Sequence, residues 1–130
     1  MAFDRGLINE CSGHVVDAGM RVHSRLGPGL LESVYENCLA YELRKKGFDV
    51  LQQLEVPLQY DEVTLDVGFR MDLLVSDLVV VEVKAVARLN QVHEAALLTY
   101  LRLSDHRVGL LMNFNELHLR DGLKRLVNAF

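Results

Sequence analysis

Between Val63 and Leu73, apolar side chains alternate strictly with Thr64, Asp66, Gly68, Arg70 and Asp72. A two-residue period of this kind predicts a strand with one covered face, and it puts Asp72 on the polar side. From Leu78 to Val86 the pattern changes to nearly unbroken branched aliphatic residues, the composition of a strand covered on both faces. Glu82 and Lys84 stand inside that run and, being two apart, share one face. Ser76-Asp77 between the runs predicts a tight return. The two strands are then antiparallel neighbours, with Asp72 and Glu82 at similar depth from the hairpin tip.

Upstream the spacing is helical. Val15, Val16, Ala18, Val22 and Leu26 mark one helix from about Asn9 to Leu26, ended by Gly27-Pro28-Gly29. A second helix runs from about Leu31 or Ser33 to Lys46 and stops at Gly47. Val50, Val56, Leu58 and Tyr60 form an extended stretch whose Pro57 predicts an edge strand or a bend, followed by a turn at Asp61-Glu62. Downstream, Asn90 caps a helix reaching about Leu103, and Val108 to Phe114 reads as a buried strand. Leu117 to Leu119 is expected as a short strand, and Gly122 to Phe130 as a final helix through Leu123, Leu126 and Val127. The order predicts one α/β domain over residues 1–130, a small mixed sheet flanked by helices, with no repeat or linker.

Composition narrows the function classes. Half the residues are hydrophobic, yet no run is long enough to span a bilayer, and Met-Ala-Phe-Asp-Arg-Gly lacks the apolar stretch of a signal peptide. The expectation is a cytoplasmic protein without a membrane partner. Cys11 and Cys38 fall in helix-like segments and form no close pair with a histidine, which favours reduced thiols over a disulfide or a zinc site. A net charge of −4 argues against coating long stretches of nucleic acid but not against a nuclease, because a bound cation adds local positive charge. Arg44-Lys45-Lys46 sits in the last turn of the second helix, where cations complement the helix dipole. The five histidines show no metal-ligand spacing, and His93 is expected on exposed surface near the site mouth.

The informative cluster is therefore Asp72, Glu82 and Lys84. Burying an acid and a base at a core mouth costs several kcal/mol per ion unless something compensates, on the order of 20 kcal/mol before relaxation. Two carboxylates suit a divalent cation, with the Val83 carbonyl as a third oxygen. Lys84 suits an ammonium that holds an attacking water or offsets charge on phosphoryl oxygens. The plain alternative is a Glu82–Lys84 ion pair at the sheet rim, with Asp72 capping a turn.

Gly29-Leu30-Leu31-Glu32-Ser33-Val34-Tyr35 is a GxxExxY motif at the start of the second helix. With Leu26-Gly27-Pro28-Gly29, Glu82-Val83-Lys84-Ala85-Val86, Leu97-Leu98-Thr99-Tyr100-Leu101 and Val108 to Phe114, the chain resembles the GxxExxY family from about Val15 to Val127. That family is a branch of the PD-(D/E)XK nuclease-like superfamily, so the resemblance implies a restriction-endonuclease-like α/β core. It implies a Mg²⁺- or Mn²⁺-dependent phosphodiesterase acting on DNA or RNA. Asp72 matches the motif aspartate, Glu82 and Lys84 the (D/E)XK pair, and Glu32 the helix carboxylate that reaches the metal through water. Tyr35 belongs to the signature. One position departs: Ala95-Ala96-Leu97 stands where the family carries Ala-Gln-Leu, and Gln91 is on another helical face. A rival reading follows, a catalytically weak or silent nuclease fold used for interaction or assembly. It is favoured by the acidic balance, the missing glutamine and the lack of a second domain. Self-association into a homo-oligomer is expected from the apolar content and an unpaired sheet edge.

Overall fold

A computed structural model describes residues 3–130. Helix α1 (Arg5–Leu26) begins about one turn earlier than its apolar period predicts, because Asp4 accepts the Leu7 N–H at 3.0 Å as an N-cap. It ends at Gly27, which has a φ of 69°. Helix α2 (Glu32–Lys45) follows and closes before Gly47, whose φ of 96° suits glycine. Strands β1 (Val50–Tyr60), β2 (Val63–Val75) and β3 (Val79–Lys84) come next, then α3 (Gln91–Ser104), β4 (Val108–Asn113) and β5 (Leu123–Val127). The strands lie side by side in the order β1-β2-β3-β4-β5. Only β3 and β4 run parallel, and α3 provides the crossover that a parallel pair requires.

Two apolar layers hold the sheet. Helices α1 and α2 cover one face, where Val15, Ala18, Leu39 and Leu43 meet Leu73, Val81, Val83 and Leu110. Helix α3 covers the other, with Leu97 and Leu101 against Val80, Leu111, Met71 and Leu74. Strand β3 is thus covered on both faces, as its aliphatic run predicts, and every residue of β4 is buried.

Two expectations are corrected. The alternating run of β2 is half-buried only near its end: from Val63 to Gly68 both faces are exposed. The cause is an irregularity opposite Pro57, where pairing passes from Val56↔Phe69 to Leu58↔Leu65 and swings the hairpin tip clear of the helices. Gly68 permits the close approach, since a Cβ there would collide with the Leu58 Cβ. At the C-terminus, Leu117–Leu119 is not a strand; a 3₁₀ turn covers Leu119–Gly122, and β5 replaces the expected helix. The spacing of Leu123 and Leu126 fits a helix, but in a strand the same residues reach opposite faces. Leu123 packs on the α1/α2 side and Leu126 on the α3 side, while β5 supplies the open edge of β4 with a partner. Among the described residues, no helix is long and apolar enough to cross a membrane.

Candidate active site

The hairpin of β2 and β3 is closed by Ser76, Asp77 and Leu78, with Val75 opposite Val79. Its ladder ends at Leu73↔Val81, one step before Asp72 and Glu82. There the carboxylates take over from the backbone. The Asp72 N–H donates to Glu82 Oε2 at 2.9 Å, and the Val83 N–H donates to Asp72 Oδ2 at 2.8 Å. Each acid is therefore held by an amide of the opposite strand.

The ladder stops here because the strands change facing. Leu73 and Val75 pack towards α1 and α2, whereas Met71 and Leu74 both pack towards α3. Residues three apart share a face only where the two-residue period breaks. Strand β1 breaks at the same level, between Val50 on one side and Leu54 and Val56 on the other, at Gln53 with a φ of 50°. Irregularities of this kind re-aim side chains next to functional sites.

Glu82 is only 6% exposed. Burial, and then the neighbouring Asp72 charge, push its carboxyl up to about 8, against the downward pull of the Asp72 N–H and the Lys84 ammonium. At neutral pH without a cation, Glu82 therefore carries a proton, which removes most of the cost of burying its charge. Lys84 lies on the same face. Among the described residues it makes no ion pair, so the Glu82–Lys84 bridge of the plain alternative is not formed. Instead Glu82 and Lys84 line a cavity of about 70 Å³ whose far wall is Val92, His93, Ala96, Leu97 and Tyr100 of α3.

Glu32, at the first position of α2, accepts the Ala85 N–H at 3.2 Å, just beyond Lys84. The four predicted side chains thus converge on the C-terminal end of β3, but Glu32 does not join the carboxylate pair. Among the described residues, no three His, Cys, Asp or Glu side chains gather to hold an ion. Any cation there would rest on Asp72, Glu82, backbone oxygen and water. That donor set is all oxygen and carries two carboxylates, which fits a hard divalent ion such as Mg²⁺ or Mn²⁺. Val83 is tied to the pair through the N–H it gives Asp72.

Several supporting residues were not legible as such. Tyr35 is fully buried, stacks on Phe114 at 4.7 Å, donates its hydroxyl to the Gly27 carbonyl at 2.6 Å and accepts the Leu30 N–H at 3.1 Å. It fastens the glycine-rich loop to α2 and so fixes where Glu32 begins the helix. Asn113 is fully buried and clamps Val86 from both sides, accepting its N–H at 3.0 Å and donating to its carbonyl at 2.9 Å. The Phe114 N–H reaches the Lys84 carbonyl at 2.8 Å, which completes the hold on the strand end carrying the lysine. An amide inside the apolar run Val108 to Phe114 was the available signal, since buried amides need partners.

His93 corrects the expectation of exposed surface. It is half-buried in the cavity wall, and its Nδ1 accepts the Asn90 N–H at 3.1 Å while Asn90 Oδ1 accepts the His93 N–H at 3.1 Å, a reciprocal helix cap. Ala96 presents a methyl to the same cavity, and Gln91 is exposed and not among its lining residues. The Tyr100 ring stacks on Phe69 at 4.6 Å, and burial followed by the Glu82 charge raises its hydroxyl above the usual phenol range.

No curated protein and no solved structure matches the chain. A family model described as the PD-(D/E)XK nuclease superfamily matches residues 9–126, a span that takes in α2, α3 and β1 to β4 whole, most of α1 and β5, and Glu32, Asp72, Glu82 and Lys84. On that match the chain belongs to the PD-(D/E)XK nuclease superfamily.

Proposed function

We propose that this protein is a Mg²⁺- or Mn²⁺-dependent phosphodiesterase that cleaves DNA or RNA, and that Gly29, Glu32 and Tyr35 mark it as a member of the GxxExxY branch. The observation that carries the reading is the reciprocal hold of Asp72 and Glu82, with Lys84 beside them on a cavity and, among the described residues, free of any carboxylate partner. Asp72 and Glu82 would hold the cation, with the Val83 carbonyl as a third protein oxygen. When bound, the ion supplies positive charge opposite the phosphoryl oxygens and makes a coordinated water more acidic. The Lys84 ammonium orients the attacking water and offsets charge building on the phosphate. Glu32, anchored on the Ala85 N–H, offers its other oxygen to a water at the site mouth. Nucleic acid is the partner.

One observation favours a second reading, a weak or silent nuclease fold serving as an assembly module: Ala96 brings no polar atom to the cavity shared by Glu82 and Lys84. Thermal melting separates the two. Millimolar Mg²⁺ or Mn²⁺ should raise the melting temperature of the wild type, and Asp72→Ala should abolish the rise. A wild type unmoved by metal would sink the phosphodiesterase reading. A panel of single- and double-stranded DNA and RNA then tests the reaction, and cleavage that survives Lys84→Ala would be assigned to a contaminant.

A further inference from the structure

Glu36 lies one turn after Glu32 on α2 and is only 8% exposed, yet among the described residues no Lys, Arg or His pairs with it. An unpaired buried carboxylate is costly unless hydrogen bonds satisfy it. Both of its oxygens are occupied by side-chain amides. Gln53 Nε2 donates to Oε1 at 2.6 Å, and Gln52 Nε2 donates to Oε2 at 3.0 Å. Gln52 in turn accepts from Arg44 at 3.0 Å through its Oε1, which turns its NH₂ group towards Glu36.

Gln53 has a second bond to give, and its Nε2 donates to Asp72 Oδ1 at 3.2 Å. An amide can present either its oxygen or its NH₂ to a neighbour. Because Glu36 accepts and cannot donate when ionised, it forces the NH₂ group of Gln53 to face both acids. With the oxygen turned to Asp72 the contact would be repulsive. Gln53 is itself exposed, so these two carboxylates, rather than packing, hold its side chain in place. Its φ of 50° marks the point where β1 changes facing, opposite Asp72. The Val83 N–H holds Asp72 Oδ2 while Gln53 holds Oδ1, so both oxygens are fixed and each keeps a lone pair for an ion.

We propose that Glu36, acting through Gln53, is a positioning residue that sets the plane of the Asp72 carboxylate for cation binding. The proposal rests on the reading of Asp72 as a cation ligand. It assigns a metal-site role to a glutamate and a glutamine outside the motifs that the sequence presents. Partners of this kind commonly change metal affinity tenfold or more when removed, about 10–100-fold.

The test is titration of the full chain with MnCl₂ alone, followed by calorimetry, with metal-free melting temperature as a second readout. Gln53→Asn is the informative variant. Asparagine tolerates the positive φ but is one methylene too short to bridge both acids. It should weaken Mn²⁺ binding about tenfold or more, while the metal-free melting temperature falls only by the loss of one hydrogen bond to Glu36 and shows the chain still folded. Glu36→Gln keeps an oxygen for the Gln53 amide and should bind Mn²⁺ within about threefold of the wild type, whereas Glu36→Leu should behave like Gln53→Asn. Wild-type affinity in Gln53→Asn would overturn the positioning role while leaving the metal site intact. A wild type that takes up no Mn²⁺ at millimolar concentration would overturn the metal site itself and this role with it.

Discussion

Replacing Glu82 by glutamine should remove a pH dependence that the wild-type fold carries in the absence of metal. The Glu82 carboxyl rises from 4.5 to about 8 on folding, because it is buried beside Asp72. A folded-state value above the unfolded one means that the native protein binds the extra proton between the two. The stabilisation is complete below about pH 4.5 and is lost as pH rises through about 8. At about 1.36 kcal/mol per unit, the displacement from 4.5 to about 8 sets a ceiling of about 5 kcal/mol. Between about pH 5 and about pH 9 the change is about 4 kcal/mol, and relaxation with water entry reduces it to about 2 kcal/mol or more. For a domain of this size that corresponds to a fall in melting temperature of about 6 °C at the least. Glutamine can still accept the Asp72 N–H without carrying charge, so the variant should lack this component of the fall. The assay is thermal melting in chelator across that range, with wild type and Glu82→Gln side by side. Parallel curves would refute the reasoning, because they would show Glu82 ionising in the fold as easily as in the unfolded chain. Millimolar Mg²⁺ should flatten the wild-type curve, since a cation takes the place of the proton, and should leave Glu82→Gln nearly unchanged.

Three other outcomes follow from the same geometry. Tyr35→Phe strips the Gly27 carbonyl and the Leu30 N–H of their partner and should destabilise the fold by about 1–3 kcal/mol in urea unfolding; an unchanged midpoint would deny the strut its role. Asn113→Leu fills similar space but leaves both backbone groups of Val86 without the amide, so a loss of about 2–4 kcal/mol is expected, and a variant as stable as the wild type would show that water replaces the clamp. Tyr60, Val63, Leu65 and Val67 are each about half exposed or more on the projecting hairpin, and we expect this tip to support self-association. Val63→Lys with Leu65→Lys should shift sedimentation at micromolar concentration towards monomer, and a wild type already monomeric would remove the proposal.

Much of the architecture could be read from the period of the apolar residues. The short return at Ser76-Asp77 was enough to bring Asp72 and Glu82 together, because a two-residue period and a tight loop leave the register little freedom. The placement of Glu32 needed more than spacing, since it depends on α2 docking against the end of β3. Where local pattern competed with tertiary pairing, the pattern lost. Leu123 and Leu126 suit a helix until β4 offers an unpaired edge. The alternation in β2 suits a covered strand until Pro57 and Gly68 lift the tip away. Gln53 and Glu36 stayed hidden for a different reason. A polar doublet on an edge strand and a glutamate on a helix are ordinary surface residues until the fold sets them against Asp72.

The crossed amides of the hairpin have a consequence for how opening of the sheet is felt. Since the Asp72 and Val83 N–H groups are themselves what the two acids grasp, these strands cannot part at this level without dismantling the carboxylate pair. A cation bound there would act as a rivet across the seam. Hydrogen exchange at those two positions would then read out occupancy of the centre directly, with no substrate present.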